Sequence, residues 1–167
     1  MMKPLLLIDI DGPLNPYEAL SRRRPPKGYR RHSMRPTGWT AGPALPVLLN
    51  PEHGDELLAL TGLYELAWAT TWKNEANEWI APRLGLAPLP YIDWPRMHGL
   101  TGNGTYWKTR YVVEYAAGRP FAWVDDEITD LDTGWVAGHH PGRALLRPVD
   151  PRVGLVRADF DALAAWA

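Results

Sequence analysis

A chain of 167 residues with 46% apolar and 22% charged residues is the size of one domain and has the material for a buried core. It has no cysteine, which excludes disulfides, thiolate nucleophiles and cysteine-based zinc sites. A net charge of −1 excludes a molecule held to nucleic acid by overall charge, and no apolar stretch nears the roughly 18–20 residues of a membrane span.

Leu5-Leu6-Leu7-Ile8 is a continuous apolar run, read as a central strand buried on both faces. With Lys3 before it, the run has the outline of a signal peptide, but it spans only about five residues and ends in Asp9 and Asp11, against the about 7–15 apolar residues of a signal core. The chain is therefore read as cytoplasmic. Residues 13–50 are rich in Pro, Gly and Arg and lack periodicity, which predicts a long flap or hairpin excursion, a minimal cap on a single domain spanning 1–167. A short helix is expected over Glu52–Leu60, a buried strand over Tyr64–Ala69 ending in Thr70-Thr71, and a helix over Glu75–Leu84. Pro90–Trp94 reads as a short third strand. Tyr106–Ala117 reads as a helix stopped by Gly118, and Phe121–Val124 as a strand ending in Asp125-Asp126-Glu127. Ala144–Arg147 is the last expected strand and Leu155–Trp166 a terminal helix. Trp68, Trp72, Trp79, Trp94, Trp107 and Trp123 fall within or beside these elements and read as core packing.

Alternating strands and helices predict an α/β fold: a Rossmann-like three-layer sandwich around a parallel sheet. Ligands of such sheets sit beyond the carboxyl ends of the strands. Asp9/Asp11, Thr70/Thr71 and Asp125/Asp126 all fall there. Carboxylates gathered at one edge repel unless a cation compensates, and Mg²⁺ fits an oxygen-only donor set. One carboxylate of Asp9-x-Asp11 has the chemistry to attack phosphorus, the other to move the proton of the leaving oxygen and then of water. Gly12 permits the tight turn that follows. Thr70, the first residue past the apolar run, is favoured over the adjacent Thr71 as the hydroxyl for phosphoryl oxygens, with Lys108 as the ammonium.

Four segments carry a family resemblance. LLLIDIDGPLNP resembles the first motif of the haloacid-dehalogenase-like superfamily, LAWATT the second, the helix opened by Lys108 the third, and FAWVDDE the fourth, in the expected order over roughly residues 4–150. Within the superfamily the chain looks like a small-cap phosphatase of the actinobacterial group related to domains of RNA-repair proteins. The resemblance implies Asp9 as nucleophile and Asp11 as general acid/base. It also implies Mg²⁺ held by the Asp9 side chain, the Asp11 backbone carbonyl and Asp125, with Asp126. Pro13 departs from the family pattern, where Thr is usual, and bears on the flap conformation.

Plainer readings stand beside these. Asp-Gly is a common turn pair, Asp125–Glu127 suits a helix N-terminus, Thr70 suits an N-cap, and a lysine early in an amphipathic helix is usually solvated. His139-His140 has no third ligand nearby. The stretch from Arg22 to Arg35 holds seven basic residues and no acid. Its Arg22, Arg23, Arg24, Arg30 and Arg31 are candidates for gathering a polyanionic substrate, with a solvated loop as the alternative. The expected partner is a phosphorylated substrate, a small phosphoester or a nucleic-acid end. A silent Mg²⁺- or nucleic-acid-binding module, and transfer to an acceptor other than water, are the alternative functions.

Overall fold

The computed structural model describes residues 2–37, 39 and 42–167. Its main sheet has four parallel strands: β1 (Leu5–Ile8), β4 (Glu65–Trp68), β5 (Phe121–Asp125) and β6 (Ala144–Pro148), in the order β4-β1-β5-β6. A separate antiparallel hairpin joins β2 (Arg30–Met34) to β3 (Leu45–Leu49), pairing Arg30 with Leu49 and Met34 with Leu45. The helices are α1 (Pro51–Leu60), α2 (Glu75–Trp79), α3 (Lys108–Ala116), α4 (Asp130–His139) and α5 (Arg157–Trp166). Single 3₁₀ turns lie at Tyr17–Ala19 and Ala81–Leu84.

Side chains that alternate along each strand explain the layers. Leu6 and Ile8 of β1 join Leu66, Trp68, Ala122 and Val124 in a core that includes Leu57 of α1, Ala76 of α2 and Phe160 and Leu163 of α5. Leu5 and Leu7 face the other way, with Ala67, Phe121 and Trp123, against Val112 and Ala116 of α3 and Val136 of α4. The sheet is thus covered on both faces, as the apolar strand runs require, and the expected three-layer sandwich is the observed one. The expected excursion over 13–50 is the hairpin with its leading loop. It is packed down: Met34, Val47 and Leu49 enter the first core.

Two expectations need correction. Pro90–Trp94 is not a strand. It makes a single bridge, Tyr91 beside Trp68, with Trp68 N–H donating to Pro90 O at 2.8 Å and Ile92 N–H to Trp68 O at 3.0 Å. Prolines at 90 and 95 remove the donors a longer ladder needs. The helix start weighed at Asp125–Glu127 lies later: α4 begins after Thr129, beyond these acidic residues. One close approach fixes the packing of α1. A Cβ on Gly54 would stand 1.8 Å from the Leu84 carbonyl oxygen, so only glycine lets these segments touch.

Candidate active site

The chain crosses from one side of the sheet to the other at β1, with β4 on one flank and β5 on the other, so a crevice opens at its carboxyl end. Asp9 leaves β1 there. Its N–H donates to Val124 O at 3.1 Å, locking it to β5, and its Oδ1 accepts the Ile10 N–H at 2.8 Å. The backbone then turns: Leu14 and Asn15 N–H donate to Ile10 O, and Gly12 N–H donates to Asn15 O. Gly12 has φ +107°, and a Cβ there would fall 2.6 Å from the Asp126 side chain. Glycine is needed for the turn and to let Asp126 approach. Pro13 is accommodated in the same turn, and its carbonyl accepts Leu155 N–H at 2.8 Å.

Lys108, in the first turn of α3, is only 2% exposed. Its ammonium donates to Asp125 Oδ2 at 2.9 Å and Ala69 O at 3.1 Å and pairs with Asp9 Oδ1 at 3.1 Å. The Trp94 and Tyr106 rings stand 5.3 and 5.5 Å away. Burial alone would strip its proton, but Asp125 and Asp9 together hold the ammonium above its ordinary range. The plain reading of Lys108 as a solvated lysine is excluded.

One ammonium faces three carboxylates. Asp9, Asp125 and Asp126 each bring an oxygen within 4.8 Å of the others. Burial, then the charge of Asp125, pushes the Asp9 carboxyl well above its ordinary range, and Lys108 only partly opposes them. Asp126 is pushed up to about 6 by burial, against a hydrogen bond from Tyr17, with the Asp125 charge adding to the rise. Two negative charges without local compensation and oxygen-only donors fit a hard divalent cation. The Asp11 side chain is not part of this trio.

Asp11 lies at the rim. Its Oδ1 accepts from Asn15 Nδ2 at 2.8 Å and its Oδ2 from Trp72 Nε1 at 3.0 Å. Thr70 is completely buried at the end of β4. Its hydroxyl oxygen accepts the Trp72 N–H at 3.2 Å and its own proton goes to no described residue. Thr71 is exposed and lines the cavity over Asp9, a space of about 320 Å³ that also touches Asp11, Tyr17, Lys108 and Asp126. The arginines of the basic segment do not line this cavity. Arg31 binds the carbonyls of Leu20 and Arg22, and Arg30 borders a separate hollow beside Tyr29 and Glu52.

Four contributors escaped the sequence reading. Tyr17, from the 3₁₀ turn after the Asp9–Asn15 turn, donates to Asp126 Oδ2 at 2.6 Å. Asn15, 3% exposed, accepts Leu48 N–H on its Oδ1 at 2.8 Å and so ties β3 to the turn that carries Asp11. Trp72 holds Asp11 as described. Asp132, fully buried in α4, accepts Tyr106 N–H at 2.8 Å and Thr109 Oγ1–H at 2.7 Å on one oxygen, and the Thr129 N–H and hydroxyl on the other. Only Asp132 left a readable signal, the Thr-x-x-Asp spacing at a helix start.

Compared with protein-family models and with curated proteins, the chain matches none.

Proposed function

We propose that this chain is a Mg²⁺-dependent phosphomonoesterase that works through an aspartyl-phosphate on Asp9. One observation carries the reading: the Lys108 ammonium wedged between Asp9 and Asp125 at the floor of a cavity, with three carboxylate oxygens within 4.8 Å of one another. A phosphoryl group needs positive charge on its oxygens and a nucleophile in line with the leaving group.

Asp9, Asp125 and Asp126 would hold the cation, which when bound supplies charge for the phosphoryl oxygens and for Asp9. Oδ1 of Asp9 is taken by Ile10 N–H and Lys108, while Oδ2 accepts from no described residue and is the oxygen left for phosphorus. Its attack forms the Asp9–phosphorus bond as the ester bond breaks. Asp11, fixed by Asn15 and Trp72, gives its proton to the departing oxygen. It then takes a proton from water, whose oxygen attacks phosphorus and releases inorganic phosphate and free Asp9. Lys108 holds Asp9 in place throughout, and the Thr70–Thr71 pair offers hydroxyls at the same strand end.

A cytoplasmic setting belongs to the same reading, and no helix among the described residues is long and apolar enough to cross a membrane. Phosphate release from 4-nitrophenyl phosphate tests the proposal. Turnover is expected with Mg²⁺ and not after chelation, and Asp9→Asn should lower kcat by about 1,000-fold or more. Equal rates for the two proteins would remove Asp9 as nucleophile.

A further inference from the structure

The catalytic cavity does not end at its own walls. Thr71 and Met97 line both it and a second cavity of about 440 Å³. That neighbour is walled by Trp72, Tyr91 and Trp94, with Arg96 at its edge. Three aromatic side chains in one hollow of this size, set beside Lys73, Glu75 and Arg96, make a site for a flat ring that also carries polar atoms.

The chemistry on the catalytic side points the same way. Trp72 is the residue whose indole N–H holds Asp11 at 3.0 Å. An oxygen leaving phosphorus beside Asp11 therefore has the Trp72 ring next to it. Trp94 makes the second link, since its ring packs 5.3 Å from the Lys108 ammonium and also lines the neighbouring cavity. The two cavities thus share Thr71 and Met97, and two walls of the aromatic hollow, Trp72 and Trp94, touch Asp11 and Lys108 of the other.

On the phosphomonoesterase reading above, we infer that the organic part of the substrate is a planar aromatic or heteroaromatic group, seated in the cavity walled by Trp72, Tyr91 and Trp94. The phosphate occupies the cavity over Asp9, and the ring stacks on the aromatic walls. A competing location exists across Trp72, a hollow of about 400 Å³ against the hairpin, lined by Asp11, Pro36 and Trp39.

Adenosine 5′-monophosphate and ribose 5-phosphate decide the matter, because both release phosphate from a primary 5′-hydroxyl and differ in the base. Wild-type protein with Mg²⁺ should give a kcat/KM about tenfold higher for the nucleotide. Tyr91→Ala should bring that ratio toward one, and the milder Tyr91→Leu should do the same if the alanine variant folds poorly. Equal kcat/KM for the two esters in the wild type would overturn the inference. So would a ratio that survives both Tyr91 variants and collapses in Trp39→Ala, which would put the ring on the hairpin side. Turnover of neither these esters nor 4-nitrophenyl phosphate would remove the phosphomonoesterase reading itself.

Discussion

His53 sits in the first turn of α1 with its ring edge-on to Tyr29 and tilted against Phe160, each centroid 5.6 Å away. Its Nε2 meets Leu155 O at 3.0 Å, while Nδ1 is buried without a described partner. Burial lowers the imidazole to about 4. The unfolded chain takes up its proton near the ordinary value of about 6.5, the folded chain only near 4, so stability falls as pH drops through that window. The loss approaches about 3 kcal/mol and ends once both states are charged. Urea midpoints at pH 7 and pH 4.5 should therefore converge in His53→Gln relative to wild type; an unchanged gap would clear His53 of the effect. Other residues differ in how much the sequence disclosed. Asp9 and Asp11 were legible because a wholly apolar run stops abruptly at alternating carboxylates. The depth of Lys108 was not, since nothing local marks a lysine whose ammonium finds partners at the ends of β1, β4 and β5. Neither was the partition of Thr70 and Thr71 into a buried and a cavity-lining hydroxyl, which depends on how β4 ends.

Helix α3 carries Lys108, and α4 decides where α3 begins. Asp132 spans the two, receiving the Tyr106 N–H and the Thr109 hydroxyl on either side of Lys108, and Thr129 at its own helix start. Removing such a carboxylate leaves two buried donors unmatched, the Tyr106 N–H and the Thr109 hydroxyl, and frees the exposed Thr129 cap, a loss of about 3 kcal/mol. It also frees the first turn of α3, and a displacement of about 1 Å in a catalytic group costs up to about 100-fold in rate. Asp132→Ala is thus expected to lower kcat about 10- to 100-fold at a temperature where it remains folded. Leu163→Ala, a core truncation in α5 far from α3 in the chain, supplies the comparison: it should lose comparable stability and keep its kcat. Equal kcat in the two variants would reduce Asp132 to a stabilising role. The place and extent of the helix bearing Asp132 escaped the sequence reading because Gly134 and Gly138 dilute its pattern and Leu131 points to solvent, leaving Trp135 and Val136 as a thin apolar signal. The opposite error at Pro90–Trp94 has a similar cause: apolar residues alone do not make a ladder when prolines bracket them.

At the scale of the molecule, a nearly neutral chain carries its positive charge unevenly. Arg22, Arg23 and Arg24 are exposed, in the loop that follows Tyr17, and stand outside the cavity over Asp9. On the proposed reading they touch only substrates long enough to extend past the rim. Replacing all three by alanine should leave kcat/KM for a small ester unchanged and lower it for a 5′-phosphorylated oligonucleotide. The log–log salt dependence of the oligonucleotide reaction should flatten by about 2, from three single-strand phosphate contacts at about 0.7 each. An equal fall for both substrates would assign the arginines to folding. The three-layer order was legible throughout, because strand runs buried on both faces leave few alternatives. The hairpin's seat on the first core was not, since Met34, Val47 and Leu49 meet residues far along the chain.

The hydrogen bond from Leu48 to Asn15 joins that hairpin to the turn after Asp9 through one buried side chain. Leu48 directs its amide to the turn, so this proton is released to solvent only when the turn itself opens. The same asparagine grips Asp11. Exchange of the Leu48 amide with deuterated water is therefore a clock on the Asp9–Asn15 turn, running at the frequency with which the hairpin and the Asp11 carboxylate come apart as one unit.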